Sequence, residues 1–127
     1  MAIEGMNHFT VLTDDLEATR DFYIGLLGLK EGWRPPFTFP GAWLYCGEQA
    51  VLHLIAREAL PEPRAGVLDH MAFTARDLVG TVETLEARGI EYDLRRLPDS
   101  GLWQLFCHDP NGAKVELDFD AAEAAPT

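Results

Sequence analysis

Residues 68–78 read LDHMAFTARDL, and residues 6–16 read MNHFTVLTDDL. Both are strand-like, and each carries a histidine at its third position, His70 and His8, where another apolar residue is expected. The histidines lie 62 residues apart, and Asp15-Leu16 and Asp77-Leu78 repeat at the same offset. One histidine in a strand is ordinary, usually a core ring satisfied by hydrogen bonds. Two at matched places in similar segments point to an internal duplication.

Outward from these stretches the two halves run alike. In the first, DLEATRDFYIGLLG sets Leu16, Phe22, Tyr23, Leu26 and Leu27 along one helical stripe. Asp14 and Glu17 have the spacing of a capping box there, and Gly28 is the expected stop. The second half repeats the design in DLVGTVETLEARG, with Leu78, Val82 and Leu85 and a stop at Gly89. Strands are expected over 29–33, 42–46 and 50–56, then over 90–97, 102–108 and 113–119, broken by LPDSG and DPNG turns. The Pro-rich segment 57–66 reads as a linker, and residues 120–127, DAAEAAPT, as a frayed tail. The chain is thus a single α+β domain of two tandem βαβββ modules, about 5–56 and about 67–119.

Strand parity gives the histidines a common direction. Alternate residues face opposite sides of a strand. Phe9 and Val11 share one face and His8 and Thr10 the other; Met71 and Phe73 share one face and His70 and Ala72 the other. The last strand of each half does the same, with His53 opposite Leu52 and Leu54, and Glu116 opposite Val115 and Leu117. Each module therefore offers two residues of metal-ligand type at matching positions: His8 with His53, and His70 with Glu116.

The bulk numbers bound the function. The chain has 127 residues, 47% hydrophobic and 24% charged, enough for one domain with a real core. Its formal net charge of −11 and its lack of any basic cluster exclude nucleic acid and anionic membrane surfaces as partners. No signal peptide or membrane-spanning run is visible, so the expected location is the cytoplasm. Cys46 and Cys107 lie in apolar segments without CxxC spacing and read as reduced structural thiols. His108 reads as an exposed turn residue and Tyr23 as packing. Trp33, Trp43 and Trp103 read as core or rim aromatics. Arg34, Arg95 and Arg96 read as solvated charges, with capture of a substrate carboxylate as the sharper alternative.

On these residues, and on DLEATRDFYIGLLGL and DPNGAKVEL, the sequence resembles the vicinal oxygen chelate superfamily of glyoxalases, fosfomycin- and bleomycin-resistance proteins and extradiol dioxygenases. The resemblance spans about residues 5–119. It implies paired modules forming a curved eight-stranded mixed sheet around a divalent metal, with His8, His53, His70 and Glu116 at the ligand positions. It also implies a small-molecule substrate and a homodimer. Position 53 departs from glyoxalase I, which usually has Glu there.

Imidazole and carboxylate together suit Zn²⁺, Ni²⁺, Co²⁺, Fe²⁺ or Mn²⁺ without choosing among them. The leading expectation is a metal-dependent lyase or isomerase of the glyoxalase type. Its substrate presents two neighbouring oxygens to the ion, Glu116 moves the proton, and His53 is a fourth ligand or a general acid/base. An Fe²⁺ extradiol dioxygenase is the second reading, and a metal-free sequestering protein of the bleomycin-resistance type the third. The third predicts apolar residues at the ligand positions, and all four are retained.

Overall fold

A computed structural model describes residues 1–127. The chain divides into two compact units, Met1–Glu62 and Pro63–Thr127, with the boundary inside the Pro-rich segment. Each unit contains one helical segment and four strands. In unit 1 these are β1 (Phe9–Thr13), α1 (Leu16–Arg20), β2 (Lys30–Gly32), β3 (Gly41–Cys46) and β4 (Gln49–Ala56). Unit 2 holds β5 (Met71–Thr74), α2 (Leu78–Ala87), β6 (Tyr92–Arg96), β7 (Trp103–His108) and β8 (Lys114–Phe119). The eight strands are hydrogen-bonded as two four-stranded sheets of identical topology, β1-β4-β3-β2 and β5-β8-β7-β6. In each, the first strand lies parallel to the last and the rest are antiparallel. That is the βαβββ repeat expected from the sequence.

The repeated Asp-Leu pair turns out to be a helix start. Asp15 is the N-cap of α1 and accepts from Ala18 N at 3.1 Å, while Asp77 caps α2 and accepts from Gly80 N at 3.1 Å. The cap is therefore Asp15, not the Asp14 of the expected capping box, because Thr13 Oγ1 accepts the Asp15 N–H at 2.9 Å and ends the strand there. Asp77 holds a left-handed backbone, φ 70°, a conformation that short polar side chains tolerate best. α1 continues as a π-helical segment, Asp21–Leu26, which ends before Gly28 at φ 81°. This widened turn carries Phe22 and Tyr23, both buried, onto the sheet.

Packing follows parity. In unit 1 the register aligns Phe9, Leu52 and Leu44, then Val11, Leu54 and Ala42. All of these but Phe9 are buried, beside Phe22, Tyr23 and Leu29. In unit 2 Met71, Val115 and Cys107, then Leu105 and Leu117, form the matching layer beside Leu78, Val82 and Leu85. Removing one of these leucines costs roughly 2–5 kcal/mol. Burial pushes the Cys107 thiol up to about 11, with Asp109 adding to the effect. That is the inert structural thiol expected. Cys46 is exposed instead, because its strand bulges out of register between Leu44 and Cys46.

The C-terminal tail is tied down rather than frayed. Glu123 accepts from Asp77 N at 3.1 Å and Leu78 N at 2.7 Å, satisfying orphan donors at the start of α2. Its carbonyl accepts from Trp103 Nε1 at 3.1 Å, and Arg96 donates to Ala121 O at 2.8 Å. A carboxylate at a helix N-terminus is favourable, and the tail is long enough to deliver it. No helix is long and apolar enough to cross a membrane.

Candidate functional site

His8 and His70 each immediately precede a strand, one residue outside β1 and β5. The parity argument survives this shift. Register pairs Thr10 with His53 and Ala72 with Glu116, so each histidine and its module mate share the face opposite the buried layer. In unit 1 the rings of His8 and His53 stack, with centroids 3.7 Å apart and planes at 12°. In unit 2 His70 Nε2 lies 2.9 Å from Glu116 Oε1. The four candidates thus come as two pairs, one per unit, and no group of three or more His, Cys, Asp or Glu side chains is gathered into a cage.

A second repeat appears around the rings. His8 Nδ1 donates to Asn7 Oδ1 at 2.7 Å, and His70 Nδ1 donates to Asp69 Oδ2 at 2.7 Å. Asn7 and Asp69 are again 62 residues apart. Each bond holds a proton on Nδ1, the arrangement that orients an imidazole whose Nε2 could ligate, although Nε2 of His70 meets the Glu116 carboxylate across a proton that a bound ion would replace. Gln49 secures the first copy by donating to the carbonyls of Met6, at 3.2 Å, and Asn7, at 2.6 Å. Lys114 secures the second from 3.6 Å of Asp69. The His70 hydrogen bond, reinforced by Lys114, holds the Asp69 carboxyl below its ordinary value.

The electrostatics of the pairs differ. Burial lowers the pKa of His53, and the neighbouring His8 lowers it further, against a hydrogen bond to the Ala50 backbone that raises it. Glu116 is buried and accepts from Gln104 Nε2 at 3.2 Å in addition to facing His70. Two residues along β8, on the same face, stands Asp118, which the sequence reading passed over. Its Oδ1 is buried without a hydrogen-bond partner. Burial, and then the adjacent Glu116, push its carboxyl up to about 6, while His70 pulls it down. The signal that could have found it was an acid on the parity of Glu116, where module 1 has Ile55. Taken by donor type, three imidazoles and one carboxylate are a set that suits a divalent ion of borderline character, and His8 disfavours the protonation of His53 that would compete with such an ion.

The three arginines are engaged. Arg34 donates to Phe39 O at 2.8 Å, Arg95 pairs with Asp93 at 2.7 Å, and Arg96 covers Trp103 at 4.4 Å. Trp103 is core, whereas Trp43 stacks on His53 at 3.9 Å and Trp33 is exposed. His108 is exposed, as expected.

The model of the Glyoxalase/Bleomycin resistance protein/Dioxygenase superfamily matches residues 5–117. The chain belongs to that superfamily. Among its relatives is "Glyoxylase I 4" of Arabidopsis thaliana, 31% identical over 91% of this chain and 70% of that protein. The solved lactoylglutathione lyase of Agrobacterium tumefaciens superposes with a TM-score of 0.65 at 28% identity, covering 93% of this chain and 95% of that one. A fosfomycin resistance protein of Listeria monocytogenes shares the fold, with TM-score 0.76 at 17% identity over 94% of each chain; that structure contains Mn(II) and a dihydroxypropylphosphonic acid. Glyoxalase-superfamily relatives of this kind carry the paired βαβββ architecture found here.

Proposed function

We propose that this superfamily member is a metal-dependent enzyme of the glyoxalase type, acting as a lyase or isomerase on a small oxygenated substrate. His8, His53, His70 and Glu116 would hold the ion, each module supplying one pair, in a cytoplasmic homodimer whose pairs combine within one chain or between two. The observation that carries this reading is the double repeat, in which matched histidines also have matched Nδ1 partners.

When bound, such an ion supplies Lewis acidity at the substrate oxygens and so makes a neighbouring C–H easier to deprotonate. The chain's own residues do the rest. Glu116 Oε1 is the proton acceptor, oriented by the Gln104 amide on its other oxygen. Asn7 and Asp69 keep the Nδ1 protons in place, so that Nε2 of each ring is the atom that would turn to the ion. His53, confined between two other rings, serves as the fourth ligand. His8, His70 and Glu116 alone would also suit an Fe²⁺ extradiol dioxygenase, but a fourth ligand from His53 would crowd the position such an enzyme keeps open for O₂.

Elemental analysis of protein purified without chelator, then calorimetric titration with Co²⁺, tests the reading. Stoichiometric metal that is lost in His70→Ala is expected. Absence of binding at micromolar ion would sink it. A panel of dicarbonyl and catechol substrates then separates isomerase from dioxygenase chemistry.

A further inference from the structure

The face of unit 1 that bears the histidines does not stop at them. β3 pairs Trp43 directly with His53, so the indole and the imidazole share a face, stacked with planes at 12°. His8, His53 and Trp43 are therefore one continuous stack of rings. Beyond Trp43 the array opens into the loop RPPFTFPG. Trp33 stands perpendicular to Trp43 at 6.0 Å, and Phe37 is inclined to it at 6.4 Å. Phe37 and Phe39 stack on one another at 5.0 Å.

These loop rings are exposed: Trp33 is 70% accessible, Phe37 44% and Phe39 37%. Large aromatics left in water at this level mark a recognition surface more often than a packing accident. The loop is also held in shape. The Arg34 guanidinium lies 5.0 Å from the Phe37 ring and 5.1 Å from the Phe39 ring while donating to Phe39 O. Tyr45 donates to the Trp33 carbonyl from the neighbouring strand. A preset array of this kind loses little freedom on binding a flat partner.

We infer that Trp33, Phe37 and Trp43 form a subsite for an aromatic ring, so that the substrate is an aryl compound whose neighbouring oxygens extend toward His53 and His8. Three observations favour a small flat ligand over a protein partner. The shelf is continuous with the candidate ligands through the Trp43–His53 contact. Its rings meet at several angles, as a slot for one ring requires, rather than forming a flat face. Arg34 places a fixed cation over it in a chain of net charge −11, which suits an anionic substrate. The inference rests on the proposed oxygen-chelating reaction for the direction of the substrate, though not for the ring preference itself.

Isothermal titration of the full-length protein with phenylglyoxylate and with pyruvate tests it, since the two differ only in phenyl against methyl. Titrations are run with and without Co²⁺. Phenylglyoxylate is expected to bind at least about 10-fold more tightly in both states. Trp33→Leu and Phe37→Leu, which keep apolarity but remove a ring, should each cut that preference by about 3-fold or more and leave pyruvate affinity unchanged. Equal affinities for the two probes, or an undiminished preference in both variants, would overturn the subsite. If Trp33→Leu dissociates a dimer without changing the preference, the shelf is an interface and the subsite is rejected. Retained ring preference in protein that binds no Co²⁺ would uphold the subsite while removing the metal reading.

Discussion

The two modules share a backbone plan but present opposite electrostatics on the same face. Module 1 sets a half-buried pair of rings against each other, where burial and then the neighbouring His8 disfavour protonation of His53. Module 2 sets an imidazole against a buried carboxylate, with a second carboxylate two residues on. Even the residues that orient the rings differ, a neutral amide at Asn7 and a charged carboxylate at Asp69. Duplication explains the positions, while divergence explains the charges. The anionic half should therefore dominate attraction of a cation, and the neutral half should tune its acidity and shape access to it.

Breaking the anionic half should have the largest effect. Glu116→Gln keeps the side-chain shape but removes the charge and the proton acceptor. Turnover of whichever substrate is identified should fall about 10²–10⁴-fold, and Co²⁺ affinity should fall in the same titration. Full activity in this variant would take Glu116 out of the mechanism.

The neutral half comes next. His53→Ala should weaken Co²⁺ binding by about 100-fold or more if the ring is a ligand, a loss at or above the upper range for disturbing a ligand's supporting shell. Unchanged affinity with lost turnover would reassign His53 to acid/base work and sharpen the contrast between modules.

The orienting residues give a finer comparison. Asp69→Ala should reduce metal affinity about 10- to 100-fold, and Asn7→Ala by less, because a carboxylate raises the basicity of its imidazole more than an amide does. The imidazole ¹⁵N shifts of His8 and His70 report the same change independently, as loss of the Nδ1-protonated form. Equal losses in the two variants would show that the modules' difference in charge has no bearing on ligation.

Asp118 should show the smallest effect, in stability rather than chemistry. Its carboxyl titrates at about 6 in the folded chain against an ordinary 3.8. The folded state therefore binds more protons between those values, and its stability falls as pH rises through them. Metal-free Asp118→Asn should melt above the parent at pH values higher than about 6 and coincide with it below about 4. A constant difference across that range would mean that the substitution acts through packing.

Much of the fold was legible in the chain because it is written twice. The offset of 62 residues aligned the histidines and the Asp-Leu pairs, and alternation on β4 and β8 separated His53 and Glu116 from their leucine neighbours. Parity is a property of any extended backbone, so it needs no knowledge of the tertiary fold. The misses were local competitions decided elsewhere. Thr13 and Asp15, rather than Asp14, took the helix start because their side chains reach the free N–H groups first. The tail looked disordered by composition, yet Glu123 found the unsatisfied donors of α2 from 45 residues away.

By itself the sequence determined the duplicated architecture and the sheet face on which each module carries its pair of candidate residues. Those follow from periodicity and repetition, which are one-dimensional facts. Only the tertiary structure decided which neighbours act on them. That Asn7 and Asp69 occupy the Nδ1 atoms, that Trp43 continues the stack from His53 and that Asp118 joins Glu116 all depend on rotamers and strand register. The Trp43–His53 contact is set by the pairing of separate strands, and the contacts between chain neighbours are set by the rotamers that the surrounding packing allows, neither of which is read from residue type.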